Sequence, residues 1–438
     1  MKKLYILVIL ILSLGSCDVL DVSPQNDILA DDAFKTKAGI EKGILGAYTS
    51  FQNLSYYGRS YLIFSDLSAD NLDHPDDATA LEYTQIDNNA ILPENGSVDG
   101  IWSSAYAGIN IANNVIARVP GMADMTPEEK NIALGELYFI RALNHFNLIN
   151  YFGDAPIKVE PTIGTNGVNV PREPVSKVYE QIIADLQFAE THLNETNIKV
   201  RASKFAATAL LARVYLYQGN YALAKAKATE VIDADYELID YAAVFSDESA
   251  ESIFEIDFTE LNRNRIAEYN FPKTLNGRRE VAPSSSIIDA YEEDDIRRDA
   301  TIAYAGALPY PIKYDDLSKG ADNVIILRLA EMYLIRAEAE ANLEGDIDAI
   351  QADINIIRTR AGLENTDADN YDHLLLAIEQ ERRVEFAFEG HRWFDLVRTD
   401  RAIETLPNLE SVDQTLFPIP LSEITTNQNP GMRQNNGY

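Results

Sequence analysis

Apolar side chains recur every three or four positions along most of this chain, the period of helices that bury one face. Asp31 to Phe51 places Ile40, Ile44, Ala47 and Tyr48 on one side. Trp102 to Val119 is a second such stretch, closed by Pro120-Gly121. Thr126-Pro127-Glu128-Glu129 supplies a polar cap and a proline in the first turn. The helix it opens is predicted to reach about Tyr151 and to stop at Phe152-Gly153-Asp154. Further helices are predicted over Ser176–Leu193, Ser203–Gln218, Tyr221–Asp233, Ile325–Leu343, Ile347–Ala361 and Tyr371–Glu389.

Two stretches break the pattern. Residues 52–101 and 240–322 are rich in Asn, Asp, Gly, Pro and Tyr and hold no sustained helical period. Short strand-like pieces occur in them, such as Ser252-Ile-Phe-Glu-Ile-Asp-Phe258. They read as long excursions from a helical scaffold, and long excursions are characteristically functional or disordered. Their aromatic content favours ordered loops.

The scaffold repeats. Ala212-x-x-Tyr215-x-x-x-Gly219-x-Tyr221-x-x-Ala224-x-x-x-Ala228 has the spacing of a tetratricopeptide helix pair. Ala330, Tyr333, Ala337 and Ala341, followed by Gly345-x-Ile347-x-x-Ile350-x-x-x-Ile354, form a second copy. Such pairs bury their apolar faces by stacking on neighbours.

The N-terminus is of another kind. Lys2 and Lys3 precede an apolar run from Leu4 to Leu14, and Gly15, Ser16 and Cys17 follow. This is the order of a secretory signal, and the run falls short of the roughly 20 apolar residues that span a bilayer. Leu14-Gly15-Ser16-Cys17 resembles a bacterial lipobox, so residues 1–16 are expected to be a lipoprotein signal peptide. Cys17, the sole cysteine, is expected to be lipidated, with 17–30 as a tether and 31–438 as one helical domain. Several acyl chains on one cysteine anchor permanently where a single chain binds marginally.

Charge narrows the partners. With 37 basic and 69 acidic side chains the net charge is −32. Such a chain is a poor match for nucleic acid, which needs basic patches, and for direct adhesion to anionic lipid. One cysteine precludes an internal disulfide, thiol catalysis beside a lipid, and cysteine-ligated metal. No phosphate-cradling Gly-x-x-x-x-Gly-Lys, Gly-x-Gly-x-x-Gly, Gly-x-Ser-x-Gly or His-Glu-x-x-His occurs. Carboxylate pairs of the glycosidase kind are unavoidable among 69 acids and carry no weight. No enzyme and no cofactor site is evident from these motifs, and a hidden carboxylate pair stays open. Asp66, Asp70, Asp73, Asp76 and Asp77 cluster, but Pro75 stands where an EF-hand loop would need its turning glycine. A structural calcium there is the alternative to a solvated loop.

A series of motifs then runs in order behind the lipobox. Leu20-Asp21-x-x-Pro24 is followed by Trp102-x-x-x-Tyr106-x-x-Ile109-x-x-Ala112-Asn113. Gly135-Glu-Leu-Tyr-Phe-Ile-Arg141-Ala142, Phe152-Gly153-Asp-Ala-Pro156 and Arg201-Ala-Ser-Lys204 come next. Leu327-Arg328-Leu-Ala-Glu331-Met-Tyr333 and Asn355-x-Ile-Arg358-x-Arg360-Ala-Gly362 lead to the most specific run. That run is Glu381-Arg-Arg-Val-Glu385-Phe-Ala-Phe-Glu389-Gly-His391-Arg-Trp393-Phe-Asp395, and Pro418-Ile-Pro420 closes the set. In this order the motifs resemble the SusD/RagB family, outer-membrane lipoproteins of nutrient uptake in Bacteroidota. The tail departs mildly, because an insertion splits the Gln-Asn-Pro-Gly-Tyr string with which family members often end.

The resemblance implies a mostly α, SusD-like fold with tetratricopeptide-like pairs as scaffold and a loop-rich ligand-binding face. It implies a surface-exposed outer-membrane lipoprotein that captures glycan and passes it to a SusC-like TonB-dependent transporter; RagB-like peptide capture is the alternative. In this setting His391 and Trp393 read as packing, with ion pairs locking the last long helix. Sugar recognition needs flat apolar faces and placed polar groups, and the two excursions supply both. Asp70, Asn71, His74, Tyr83, Tyr269, Asn270, Arg278 and Tyr304 are the candidates by residue type and location, with Trp102 either a core anchor or part of the ligand surface.

Overall fold

A computed structural model describes residues 34–164, 167–196 and 198–438. The predicted signal peptide, Cys17 and the tether lie outside the described residues.

Local chemistry sets the helix starts. Thr36 accepts from the Gly39 amide at 3.1 Å to open α1 (Lys37–Thr49). Two short helices follow, α2 (Ser60–Leu67) and α3 (Leu81–Asp87). Asn95 accepts from Ser97 and Val98 and starts α4 (Gly96–Ile116). Thr126 and Glu129 cap α5 (Pro127–Phe152) reciprocally, each side chain taking the other's backbone N–H. Next come α6 (Val175–His192), α7 (Lys204–Tyr217) and α8 (Tyr221–Ile232). Three short helices occupy the second loop-rich stretch: α9 (Ile266–Asn270), α10 (Ser285–Ala290) and α11 (Ile296–Thr301). The long helices resume with α12 (Leu329–Asn342), α13 (Ile347–Arg360) and α14 (Tyr371–Glu385). Then α15 (Arg392–Arg398), α16 (Ala402–Thr405) and α17 (Leu421–Thr426) end a mostly α chain.

The helices pack as a chain of neighbours. α1 and α4 lie on α5, which lies on α6; α6 lies on α7, α7 on α8, α8 on α12, and α12 on both α13 and α14. The predicted repeats are thus helical hairpins, α7/α8 and α12/α13, stacked through α8 and α12. Ala212, Ala224 and Ala228 are fully buried and let the axes approach. Ile350 and Ile354 are also fully buried and contribute about 1.5–3 kcal/mol each. The two turns differ. Gly219 reverses the first hairpin at φ +76°, whereas in the second the left-handed residue is Glu344, one position before Gly345.

Among the described residues, six short strands form three antiparallel pairs. They are β1 (Leu72–Asp73) with β3 (Ala282–Pro283), β2 (Ser252–Ile256) with β6 (Val324–Arg328), and β4 (Ile302–Ala305) with β5 (Leu308–Pro311). β6 corrects one expectation. Residues 325–328 are strand, and α12 begins only at Leu329. Val324-Ile325-Ile326-Leu327 is buried on both faces, so its apolar run carries no period that separates strand from helix. Its partner, where Phe254 faces Leu327, is some seventy residues distant and invisible to local patterning. The helix predicted to Glu389 also ends early, at Glu385, where Phe388 and Gly390 turn the chain with φ of +67° and +84°.

The specific run near residue 385 forms a buried ionic lattice. Arg328 reaches Glu251, Glu385 and Glu389, and Arg297 reaches Asp295, Glu381 and Glu385. Arg382 holds Asp395 through two bonds of 2.9 and 3.0 Å. His391 is buried against Phe386, with ring centroids 4.8 Å apart, and Trp393 is fully enclosed. These residues tie α14 and α15 to β6.

Candidate functional site

The two loop-rich stretches meet. β1 pairs with β3, so Asp73 faces Ala282. The His74 ring nitrogen Nδ1 lies 2.7 Å from the Glu280 carbonyl oxygen. The Glu280 carboxylate accepts from the Thr79 amide, the Thr79 hydroxyl and the Ala80 amide at 2.9–3.0 Å. Burial pushes this carboxyl up, but those bonds and Arg278 hold it below its usual range. Further along, the Arg265 amide donates to the Gly58 carbonyl at 2.8 Å. Segments that sequence separates by about two hundred residues therefore build one continuous face.

Tyr269 is its hub. The Arg59 guanidinium lies 4.3 Å from the ring centroid and that of Arg278 lies 4.8 Å from it. Tyr83 packs on Tyr269 at 5.7 Å and on Phe64 at 5.1 Å. Arg278 pairs with Glu280 at 3.3 Å, and Arg279 and Lys273 share Asp77. Slight burial acts upward on the Asp77 carboxyl, but those two cations hold it below its usual range. Beside this cluster the face opens into a groove of about 620 Å³. Its walls come from the α1–α2 connection, from α4 and from the turn at 261–263. Asn53 and Asn262 offer amides there, Leu54, Ile111 and Leu261 offer aliphatic surface, and Arg263 stands at the edge. Leu261 is 94% exposed at the tip of a turn that the Thr259 hydroxyl closes on the Asn262 amide.

The residues singled out from sequence divide sharply. His74, Tyr83, Tyr269 and Arg278 come together in the cluster just described. Tyr83, Tyr269 and Asn270 are buried, so they support the face and do not present one to solvent. Asn71 is fully buried and donates to Asp66 at 2.7 Å. Asp70 accepts from Arg392 at 2.7 and 3.1 Å and pairs with Arg383; these arginines hold it below the usual carboxylate range although burial acts the other way. Both therefore pin the first excursion to α14 and α15. Trp102 packs under the helices, edge-on to Phe152 at 5.1 Å. Tyr304 stands exposed on the β4–β5 hairpin, which Tyr310 fastens to the cluster through Phe271 at 4.7 Å. Among the described residues, no three acidic, histidine or cysteine side chains converge where they could hold a metal ion. The groove itself was not legible, because Leu54, Ile111 and Asn262 carry no motif.

Comparison with known proteins addresses the whole chain. Residues 310–438 match the SusD family, and residues 18–216 match the family described as starch-binding and associating with the outer membrane. The chain is 28% identical to SusD-like protein P2 of Formosa agariphila over the full length of both. Over most of its length the chain is therefore similar to the SusD/RagB family. Its fold agrees with that likeness. A SusD superfamily protein of Bacteroides vulgatus superposes with a TM-score of 0.85 over 92% of this chain and all of that one, at 22% identity. A laminarin-binding SusD-like protein superposes at 0.80, with 26% identity, 92% of this chain and all of that one covered. This SusD-like chain is a helical scaffold carrying a loop-built face. Among its described residues, no helix is long and apolar enough to cross a membrane.

Proposed function

We propose that this protein is a non-catalytic glycan-binding lipoprotein of the outer cell surface, held at the outer membrane by lipid on Cys17. It captures oligo- or polysaccharide on the loop-built face and passes it to a SusC-like TonB-dependent transporter. The observation that carries this reading is the groove where both loop-rich stretches meet. Amides of Asn53 and Asn262 suit sugar hydroxyls, and Leu54, Ile111 and Leu261 suit the C–H faces of a ring. The laminarin-binding relative supports the same class of ligand. A glycosidase needs two carboxyl groups about the scissile bond, and the residues lining this groove include no acid. Stable capture without cleavage fits a protein that hands its ligand on.

Affinity electrophoresis and calorimetry against laminarin, starch, other polysaccharides and peptides test the reading. At least one polysaccharide should retard the protein with no release of reducing sugar. Saturable binding of peptides alone would replace glycan with peptide as the cargo. Palmitate labelling that disappears in Cys17→Ser, and co-purification with a TonB-dependent barrel from membranes, test the anchor and the partner.

A further inference from the structure

One run of the loop-built face carries a charge opposite to that of the chain. Between Arg263 and Arg279 stand Arg263, Arg265, Lys273, Arg278 and Arg279 against one acid, Glu268, in a protein of net charge −32. This run lies outside both segments that match the family models. Folding adds a sixth cation, Arg59, from the other excursion.

Their carboxylate partners are too few. Glu268 is shared by Arg263 and Arg265, both at 3.1 Å. Asp77 is shared by Lys273 and Arg279. Glu280 faces Arg278, but three shorter bonds from Thr79 and Ala80 already occupy it. Arg59 lies over Tyr269 and donates to the Ser60 hydroxyl at 3.2 and 3.3 Å. Six cations thus lean on three carboxylates. The side chains of Arg263, Arg265, Lys273 and Arg278 remain between 38% and 51% exposed.

Which charge a ligand feels is decided by distance. At physiological ionic strength screening acts over about 8 Å, so the acids of distant surfaces fade while these cations remain. Guanidinium forks also match carboxylate and sulfate oxygens in pairs. Stacking on Tyr269 restrains two of the forks and lowers the entropy lost on binding. A neutral glucan makes no use of this excess.

We infer that the face formed by this cluster and the groove edge selects anionic polysaccharide, a polymer whose sugars bear carboxylate or sulfate groups, through Arg59, Arg263, Arg265 and Arg278. The inference rests on the glycan reading above. The full chain is tested by affinity electrophoresis in laminarin, alginate and carrageenan, which are neutral, carboxylated and sulfated. Alginate or carrageenan should retard it, with affinity falling at least about tenfold between about 50 mM and about 500 mM NaCl. Arg265→Gln with Arg278→Gln should cost a further tenfold or so at low salt, and Arg265→Lys with Arg278→Lys should recover part of it. The salt response of the unmodified chain keeps the test valid should the variants fold poorly. Binding to laminarin alone, indifferent to salt and to these variants, would overturn the anionic inference and leave the glycan reading standing. Binding to none of the polymers while peptides bind would overturn both.

Discussion

Arg328 holds Glu389 through two parallel bonds, Nε to Oε2 and Nη2 to Oε1, each 2.8 Å long and both side chains buried. The same guanidinium bonds Glu251 and Glu385, so one residue of β6 bridges three carboxylates from two distant parts of the chain. Removing one member of a buried lattice leaves charges without partners, at a cost of about 3–5 kcal/mol. Arg328→Met is therefore expected to lower the free energy of unfolding by that amount. Urea unfolding measures it, and a loss below about 1 kcal/mol would show that the lattice is dispensable.

Acid stability should reflect two buried groups of opposite sign. Burial, and next the neighbouring Arg141, pushes the His145 imidazole down to about 3. Below about pH 6.5 the unfolded chain takes up a proton that the folded chain refuses. The His145 contribution is complete above that pH and is lost as pH falls toward about 3. Asp66 runs the other way. Burial pushes its carboxyl up to about 6, against hydrogen bonds from Asn71, Phe388 and Gly390. Its contribution is complete below about pH 4 and is lost as pH rises through about 6. Unfolding measured from pH 3 to 8 should show a shallower acid limb in His145→Gln and a flatter pH 4–6 region in Asp66→Asn. Profiles that match the unmodified chain would refute both assignments.

Trp102 separates packing from ligand contact. It is 3% exposed between Tyr106 and Phe152. Trp102→Ala should cost about 3–5 kcal/mol as a core cavity. The milder Trp102→Phe, which stays folded, should retain polysaccharide affinity within about twofold. A large loss of affinity at unchanged melting temperature would place the indole in the site.

Gly277 shapes the cationic loop by close approach. A Cβ there would stand 2.0 Å from the Phe271 carbonyl oxygen and 2.5 Å from its carbon. Gly277→Ala should force the backbone apart, cost about 1–3 kcal/mol, and displace Arg278 and Arg279. Polysaccharide affinity should fall with it. Unaltered affinity in this variant would remove the loop from the site.

The groove turn offers a test with little effect on stability. Leu261→Ala with Asn262→Ala removes an exposed aliphatic contact and an amide worth about 1 kcal/mol when bonded. Affinity for the captured polysaccharide should fall about tenfold while the melting temperature holds. Equal affinity would place the ligand elsewhere on the face.

Sequence alone determined the helical scaffold, because helix periods, caps and hairpin turns are encoded by residues within a few positions of one another. Thr126 with Glu129 and the alanines of the two stacked pairs are readable in this way, whereas α4 starts at Gly96, six residues before the predicted Trp102. The excess of arginine at 263–279 is equally plain in the chain. Tertiary structure decided what depends on distant partners. Residues 324–328 became a strand because β2 was there to pair with them. Tyr83 and Asn71 went inside because other segments fold over them, and Arg59 joined the cationic loop only through the ring of Tyr269. Burial and charge pairing are relations between segments, and no local pattern contains them.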